Sequence, residues 1–159
     1  MNFAHHARRK IKIKLEIDTS PPNGSQFESQ TLSFPVEHSI TVQDLNSNFA
    51  GKCHALLCRP YVKGRDWYDF IWYINKNINP NLDLLQNALD QFGPWAGQKP
   101  QADKKWLHFH FTQKITEIDW NSAKQDVAPF INSMTRQSLD LWEKSYFIKK
   151  LDAFCELIS

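Results

Sequence analysis

The spacing of apolar residues changes once along this 159-residue chain, and the change divides it into two kinds of structure. Ile11, Ile13, Leu15 and Ile17 alternate with Lys12, Lys14, Glu16 and Asp18, the two-residue period of a strand with one apolar face. The turn formers Thr19-Ser20-Pro21-Pro22-Asn23-Gly24 stop this strand. Leu32, Phe34 and Val36, then Ile40 and Val42, carry further short alternation, so a small sheet is expected around the first strand. Pro35, which cannot donate to a ladder, marks at least one of its members as an edge.

From Thr41 the period is that of a helix. Thr41 and Asp44 have the spacing of a capping box, and Leu45, Phe49 and Leu56 share one face of a helix expected over 42–58 and closed by Pro60. A loop through Gly64 leads to an aromatic helix over 65–77. Asn79-Pro80 and Gly93-Pro94 bracket a third helix, with Leu82, Leu85 and Leu89 on its apolar side. The stretch 93–101 is the one linker-like segment. Beyond it, 103–118, 120–131 and 137–157 read as helices, with Asp119 as N-cap of the middle one. Their expected core is Trp106, Phe109, Ile115, Phe130, Leu141, Trp142, Phe147, Leu151 and Phe154. The class is therefore α+β, divided as a sheet-bearing part over 1–77 and a helical part over 78–159.

Composition removes several alternatives. With 42% hydrophobic and 13% aromatic residues the chain is not a disordered one. A net charge of +2 is too small to mark a nucleic-acid binder by bulk electrostatics. No apolar run approaches the ~20 residues of a bilayer span, and the basic N-terminal residues carry no apolar block of an export signal, so a cytoplasmic location with no membrane partner is expected. Cys53, Cys58 and Cys155 are an odd number, expected to be reduced, and Cys53-His54…Cys58 matches no common four-ligand zinc pattern. Residues 1–65 hold 9 Lys/Arg and 5 Asp/Glu, whereas 66–159 hold 10 and 12, so the positive share lies with the sheet and the first helix.

Three groups of residues are candidates for chemistry. Lys52 falls about 20° from Leu45 and about 40° from Leu56 on the helical wheel, beside the apolar stripe rather than opposite it. Two readings follow: a long stem laid over apolar surface with its ammonium in water, or an ammonium held against the core edge to bind phosphate. Arg59 lies seven residues on, on nearly the same face. Asp66 and Asp69 open the second helix, where carboxylates offset the helix dipole. They also crowd with Arg59, Lys63 and Arg65 around a Gly-containing turn, next to Lys52. Glu16 and Asp18 form the third group. Two carboxylates at i and i+2 on a strand face about 6–7 Å apart can share a divalent cation, or can alternate with Lys12 and Lys14 on a solvated face. His5-His6 and the basic residues to Lys14 suit either a polyphosphate backbone or a frayed terminus. His108 and His110 do not share a helix face and have no assigned role.

In this order, Lys14-Leu15-Glu16-Ile17-Asp18-Thr19-Ser20-Pro21-Pro22, Phe49-Ala50-Gly51-Lys52-Cys53-His54-Ala55-Leu56-Leu57-Cys58-Arg59 and Val62-Lys63-Gly64-Arg65-Asp66-Trp67-Tyr68-Asp69-Phe70-Ile71-Trp72-Tyr73 resemble the abortive-infection nucleotidyltransferases of the AbiEii/AbiGii toxin type. The run Asp126-Val127-Ala128-Pro129-Phe130-Ile131 is similar to the helical tail of that group, so the resemblance covers most of 11–131. It implies a nucleotidyltransferase sheet followed by helices, transfer from NTP to RNA (tRNA in the family) with Mg²⁺, a cognate antitoxin, and a place in phage defence. By the same resemblance Lys52 and Asp66 are the catalytic candidates and Lys52 and Arg59 the nucleotide-phosphate ligands. Glu16 is the metal carboxylate, with Asp18 as fallback. Arg65 and Asp69 support the Arg-Asp motif.

The family's Gly-Ser turn and Asp-x-Asp pair have no counterpart before residue 11. The chain is therefore expected to be the C-terminal two thirds of such an enzyme, a truncated product or one half of a split protein that needs a separate N-terminal half. The alternative of another class is a non-catalytic module that binds nucleotide, RNA or antitoxin.

Overall fold

A computed structural model describes residues 14–132 and 136–158. Its elements are strands β1 (Phe27–Leu32) and β2 (His38–Gln43), followed by helices α1 (Leu45–Cys58), α2 (Gly64–Asn75), α3 (Leu82–Gln91), α4 (Lys104–Glu117), α5 (Trp120–Val127) and α6 (Lys144–Leu157). Short 3₁₀ turns cover Ala128–Phe130 and Gln137–Leu141. The arrangement is α+β, as the change of period requires.

The two strands pair antiparallel, with Phe27 opposite Gln43 and Leu32 opposite His38, and form the whole sheet among the described residues. All six residues of β1 are exposed. One face of the ribbon carries Ser29, Thr31, Ser39 and Thr41, with Ser29 Oγ and Ser39 Oγ hydrogen-bonded at 2.6 Å. Hydrogen bonds tie the ribbon down at its base. The buried Ser47 hydroxyl of α1 accepts from the Gln26 amide at 3.0 Å and from Asn81 Nδ2 at 3.1 Å, which joins the strand entrance, α1 and α3 at one point.

The strand expected over 11–18 is not formed where it is described: Lys14–Asp18 is irregular, and Leu15 and Ile17 are each 87% exposed. Residues 11–13 lie outside the described residues. Alternation fixes which side chains share a face, but a strand exists only against a partner, and β1 and β2 pair with each other.

The helices start where short polar side chains meet free amides. Asp44, Asn81, Asp103 and Asp119 each accept a hydrogen bond from a backbone N–H in the first turn of α1, α3, α4 and α5. Asp44 is thus itself the N-cap of α1, and Thr41 belongs to β2. Helix α2 is central, packing against α1, α5 and α6, while α4 packs on α6 and α3 on α1. One core runs through all of them. Trp67 meets Phe70, Trp120 and Phe147, Phe70 stacks on Phe111 at 5.3 Å, and Phe49 stacks on Tyr73 at 4.6 Å. Aromatic pairs at these spacings add to the area they bury.

Three expected core residues are outside it. Phe109 is exposed because Leu107, Phe111 and Ile115 define the inner face of α4, and residue 109 is about 200° from Leu107 on the wheel. Phe130 is exposed because α5 ends at Val127 and turns into a 3₁₀ segment at Pro129. Leu141 is exposed because the helix expected over 137–157 is broken at Trp142 and Glu143. Trp106 is half-buried, packed at 4.9 Å against Trp95. No helix among the described residues is long and apolar enough to cross a membrane.

Candidate functional site

Helix α1 presents Lys52, and Arg59 follows seven residues on as the C-cap that ends the helix. The chain then reverses through Pro60–Lys63 and enters α2 at Gly64. This entry is tight: a Cβ on Gly64 would lie 2.0 Å from the Ala123 carbonyl oxygen, so only glycine lets α5 approach the first turn of α2 this closely. The close approach fixes Lys63, Arg65 and Asp66 against both α1 and α5.

Asp66 is 2% exposed, and its carboxylate is the centre of the site. Arg59 Nη1 donates to Oδ2, Lys52 Nζ donates to Oδ1 at 3.2 Å, and Lys63 Nζ lies 4.0 Å from Oδ1. Lys52 also pairs with Asp69 Oδ2 at 2.7 Å, so one ammonium bridges two carboxylates three residues apart on α2. A buried carboxylate is tolerable only when paired and hydrogen-bonded. Here it has three cationic partners, one of them shared with Asp69.

The surplus positive charge has an electrostatic consequence. Burial first, and then the neighbouring charges of Arg59, Arg65 and Lys52, hold the Lys63 ammonium below the ordinary lysine value, with Asp126 pulling weakly the other way. The nearby thiol of Cys58 is pushed up to about 11 by burial, against the influence of Lys114. Burial likewise raises Cys53. Both are therefore protonated thiols at neutral pH. His54 Nε2 is hydrogen-bonded with the Phe92 carbonyl at 3.2 Å.

Two hollows flank Asp66. One, about 200 Å³, is bounded by Arg59, Tyr61, Lys63, Lys114 and Glu117. The other, about 380 Å³ and open, is bounded by Lys52, Lys63, Arg65, Tyr68, Asp69 and Phe130. Lys63 and Asp66 border both.

The structure thus brings together Lys52, Arg59, Lys63, Asp66 and Asp69, and Arg65 lines the larger hollow. Glu16 and Asp18 are apart from this group. Glu16 pairs with Lys14 on the surface, Asp18 Oδ1 accepts from the Ser20 amide at 2.9 Å, and neither lines a hollow. The same-face geometry that a shared cation needs depended on an extended strand, and Lys14–Asp18 is irregular. Asp66 and Asp69 already face cations. Among the described residues no three His, Cys, Asp or Glu side chains converge as ligands of one ion. Both carboxylates of the cluster are occupied by cations, and no step is assigned to Mg²⁺.

Two contributors went unrecognised in the sequence. Lys114 of α4 donates to the Arg59 carbonyl at 3.0 Å and holds the C-terminal end of α1. It lies seven residues from Leu107, on the buried stripe of α4, so the signal that singles out Lys52 marks Lys114 too. The second is Asp126, whose Oδ2 is buried without a hydrogen-bond partner among the described residues.

The family described as nucleotidyl transferase AbiEii toxin, type IV toxin–antitoxin system, matches residues 2–153. No curated protein and no solved structure matches the chain.

Proposed function

The chain belongs to the AbiEii family of nucleotidyl transferase toxins of type IV toxin–antitoxin systems, and we propose that its Asp66-centred cluster is where a nucleoside triphosphate is held for transfer to RNA. In this reading Lys52, Arg59 and Lys63 take the triphosphate charge, and Asp66 fixes the positions of the two α1 cations before ligand arrives. Preorganised cations gain because their ordering cost is met in folding rather than in binding. The observation that carries the reading is the convergence of three cations on one buried carboxylate beside open hollows. A site built only for stability would be satisfied by one or two partners. A cognate antitoxin is the protein partner that the family implies.

A second reading has an observation of its own. Asp66 and Asp69 are both engaged by cations. This favours a module that binds nucleotide without transferring it.

Incubation with each of the four α-labelled NTPs, Mg²⁺ and total RNA, alongside equilibrium binding of the same NTPs, separates the readings. Binding together with label in RNA that Lys52→Met abolishes is the outcome for transfer. Binding with no label in RNA is the outcome for the non-catalytic module. Absence of binding contradicts both.

A further inference from the structure

The larger hollow is not lined by charge alone. Beside Lys52, Lys63, Asp66 and Asp69 its wall has Arg65, Tyr68, Val127, Phe130 and Ile131. Phe130 ends the 3₁₀ turn after α5 and is 64% exposed. The guanidinium of Arg65 lies over its ring, 4.3 Å from the centroid. An exposed aromatic ring with a planar cation stacked on it is a π surface, and the apolar side chains of Val127 and Ile131 border the same hollow.

The two halves of this surface come from different elements, Arg65 from the first turn of α2 and Phe130 from the end of α5. The close packing at Gly64 and Ala123 sets them relative to each other and to Lys63, two residues before Arg65. Cations and a flat π surface lining one hollow match the two chemistries of a nucleotide, its phosphates and its base.

We propose that the Arg65–Phe130 pair is the subsite for the nucleobase of a nucleoside triphosphate whose phosphates lie at Lys52 and Lys63. This rests on the reading of the cationic cluster as a triphosphate site. Every base offers a π face, so the subsite selects by stacking area, purines over pyrimidines, rather than by hydrogen-bond pattern.

The test is calorimetric titration of wild type, Phe130→Ala and Phe130→Tyr with two probes, ATP and inorganic triphosphate. Phe130 is exposed and outside the core, so both variants are expected to fold, which their melting curves verify. Phe130→Ala should weaken ATP about five- to a hundredfold, the range of one base–aromatic stack, and leave inorganic triphosphate unchanged. Phe130→Tyr, which keeps the ring, should restore ATP. An unchanged ATP affinity in Phe130→Ala overturns the proposal, as does equal weakening of both probes. If wild type binds both probes equally well, the base subsite falls and the phosphate site stands. If it binds neither, the phosphate site falls and takes the base subsite with it.

Discussion

Asp66 and Trp67 are neighbours in the first turns of α2, and each is 2% exposed, yet they are buried by opposite means. Trp67 is surrounded by rings of α2, α4, α5 and α6, namely Phe70, Phe111, Trp120 and Phe147. Its burial removes apolar surface from water and draws on many weak contacts, none of them specific. Asp66 is buried by three named side chains reaching in from α1 and from the turn before α2. Its burial costs desolvation, offset while the cations that donate to it, Lys52 and Arg59, stay in place. The core side of α2 therefore tolerates change of identity at similar volume. The cleft side depends on particular atoms at particular distances, which is the property a binding site needs.

The first way to break this contrast is at the core. Trp67→Ala should destabilise the protein by about 3–5 kcal/mol, the usual cost of removing a large buried aromatic. Trp67→Phe should recover most of it. Urea unfolding measures both.

The corresponding change on the other side is Asp66→Ala, which leaves Lys52, Arg59 and Lys63 without their shared partner. A broken buried pair costs about 3–5 kcal/mol when the stranded charge stays buried. These cations are roughly a third exposed and partly screened, so about 2–4 kcal/mol is expected. The sharper prediction is salt dependence. Raising ionic strength should narrow the gap between Asp66→Ala and wild type, because screening relieves cation repulsion, and should not narrow the gap for Trp67→Ala. An equal response in the two variants would erase the distinction.

A smaller effect belongs to Lys63. Its folded-state value is below the ordinary one, so its protonated form is disfavoured by folding. At neutral pH it therefore lowers stability. That loss is recovered as pH rises through the depressed value and is gone above the ordinary lysine value. Lys63→Met should be more stable than wild type at neutral pH and should lose that advantage toward alkaline pH. Thermal melting across the alkaline range checks the sign, and a Lys63→Met variant less stable at neutral pH would contradict it.

The helices were legible because their signals are local. Asp44, Asp103 and Asp119 stand where amides need acceptors, and buried Phe49 and Leu56 in α1, like Leu85 and Leu89 in α3, recur at helical spacing. The cluster was legible for the same reason, since Lys52 breaks an apolar stripe and Asp66 lies one turn into the next helix. What failed was non-local. Leu15 and Ile17 alternate like strand residues, but whether they pair depends on which other strands are free. Phe130 reads as core only if α5 continues past Pro129, and it does not. Lys114 was within reach of the stripe argument, whereas its acceptor, a backbone carbonyl at the end of α1, depends on how α4 packs on α1.

The central claim is that Lys52 stands beside the apolar stripe to bind phosphate rather than to lay its stem over the core. Calorimetric titration of wild type and Lys52→Met with ATP, GTP and CTP tests it most directly, because methionine keeps most of the apolar stem and loses the charge. A charge-assisted contact is worth ~1.5–3 kcal/mol, so Lys52→Met should weaken NTP binding roughly ten- to a hundredfold. Equal affinity of wild type and Lys52→Met would mean that Lys52 is not a phosphate ligand, and would contradict the account.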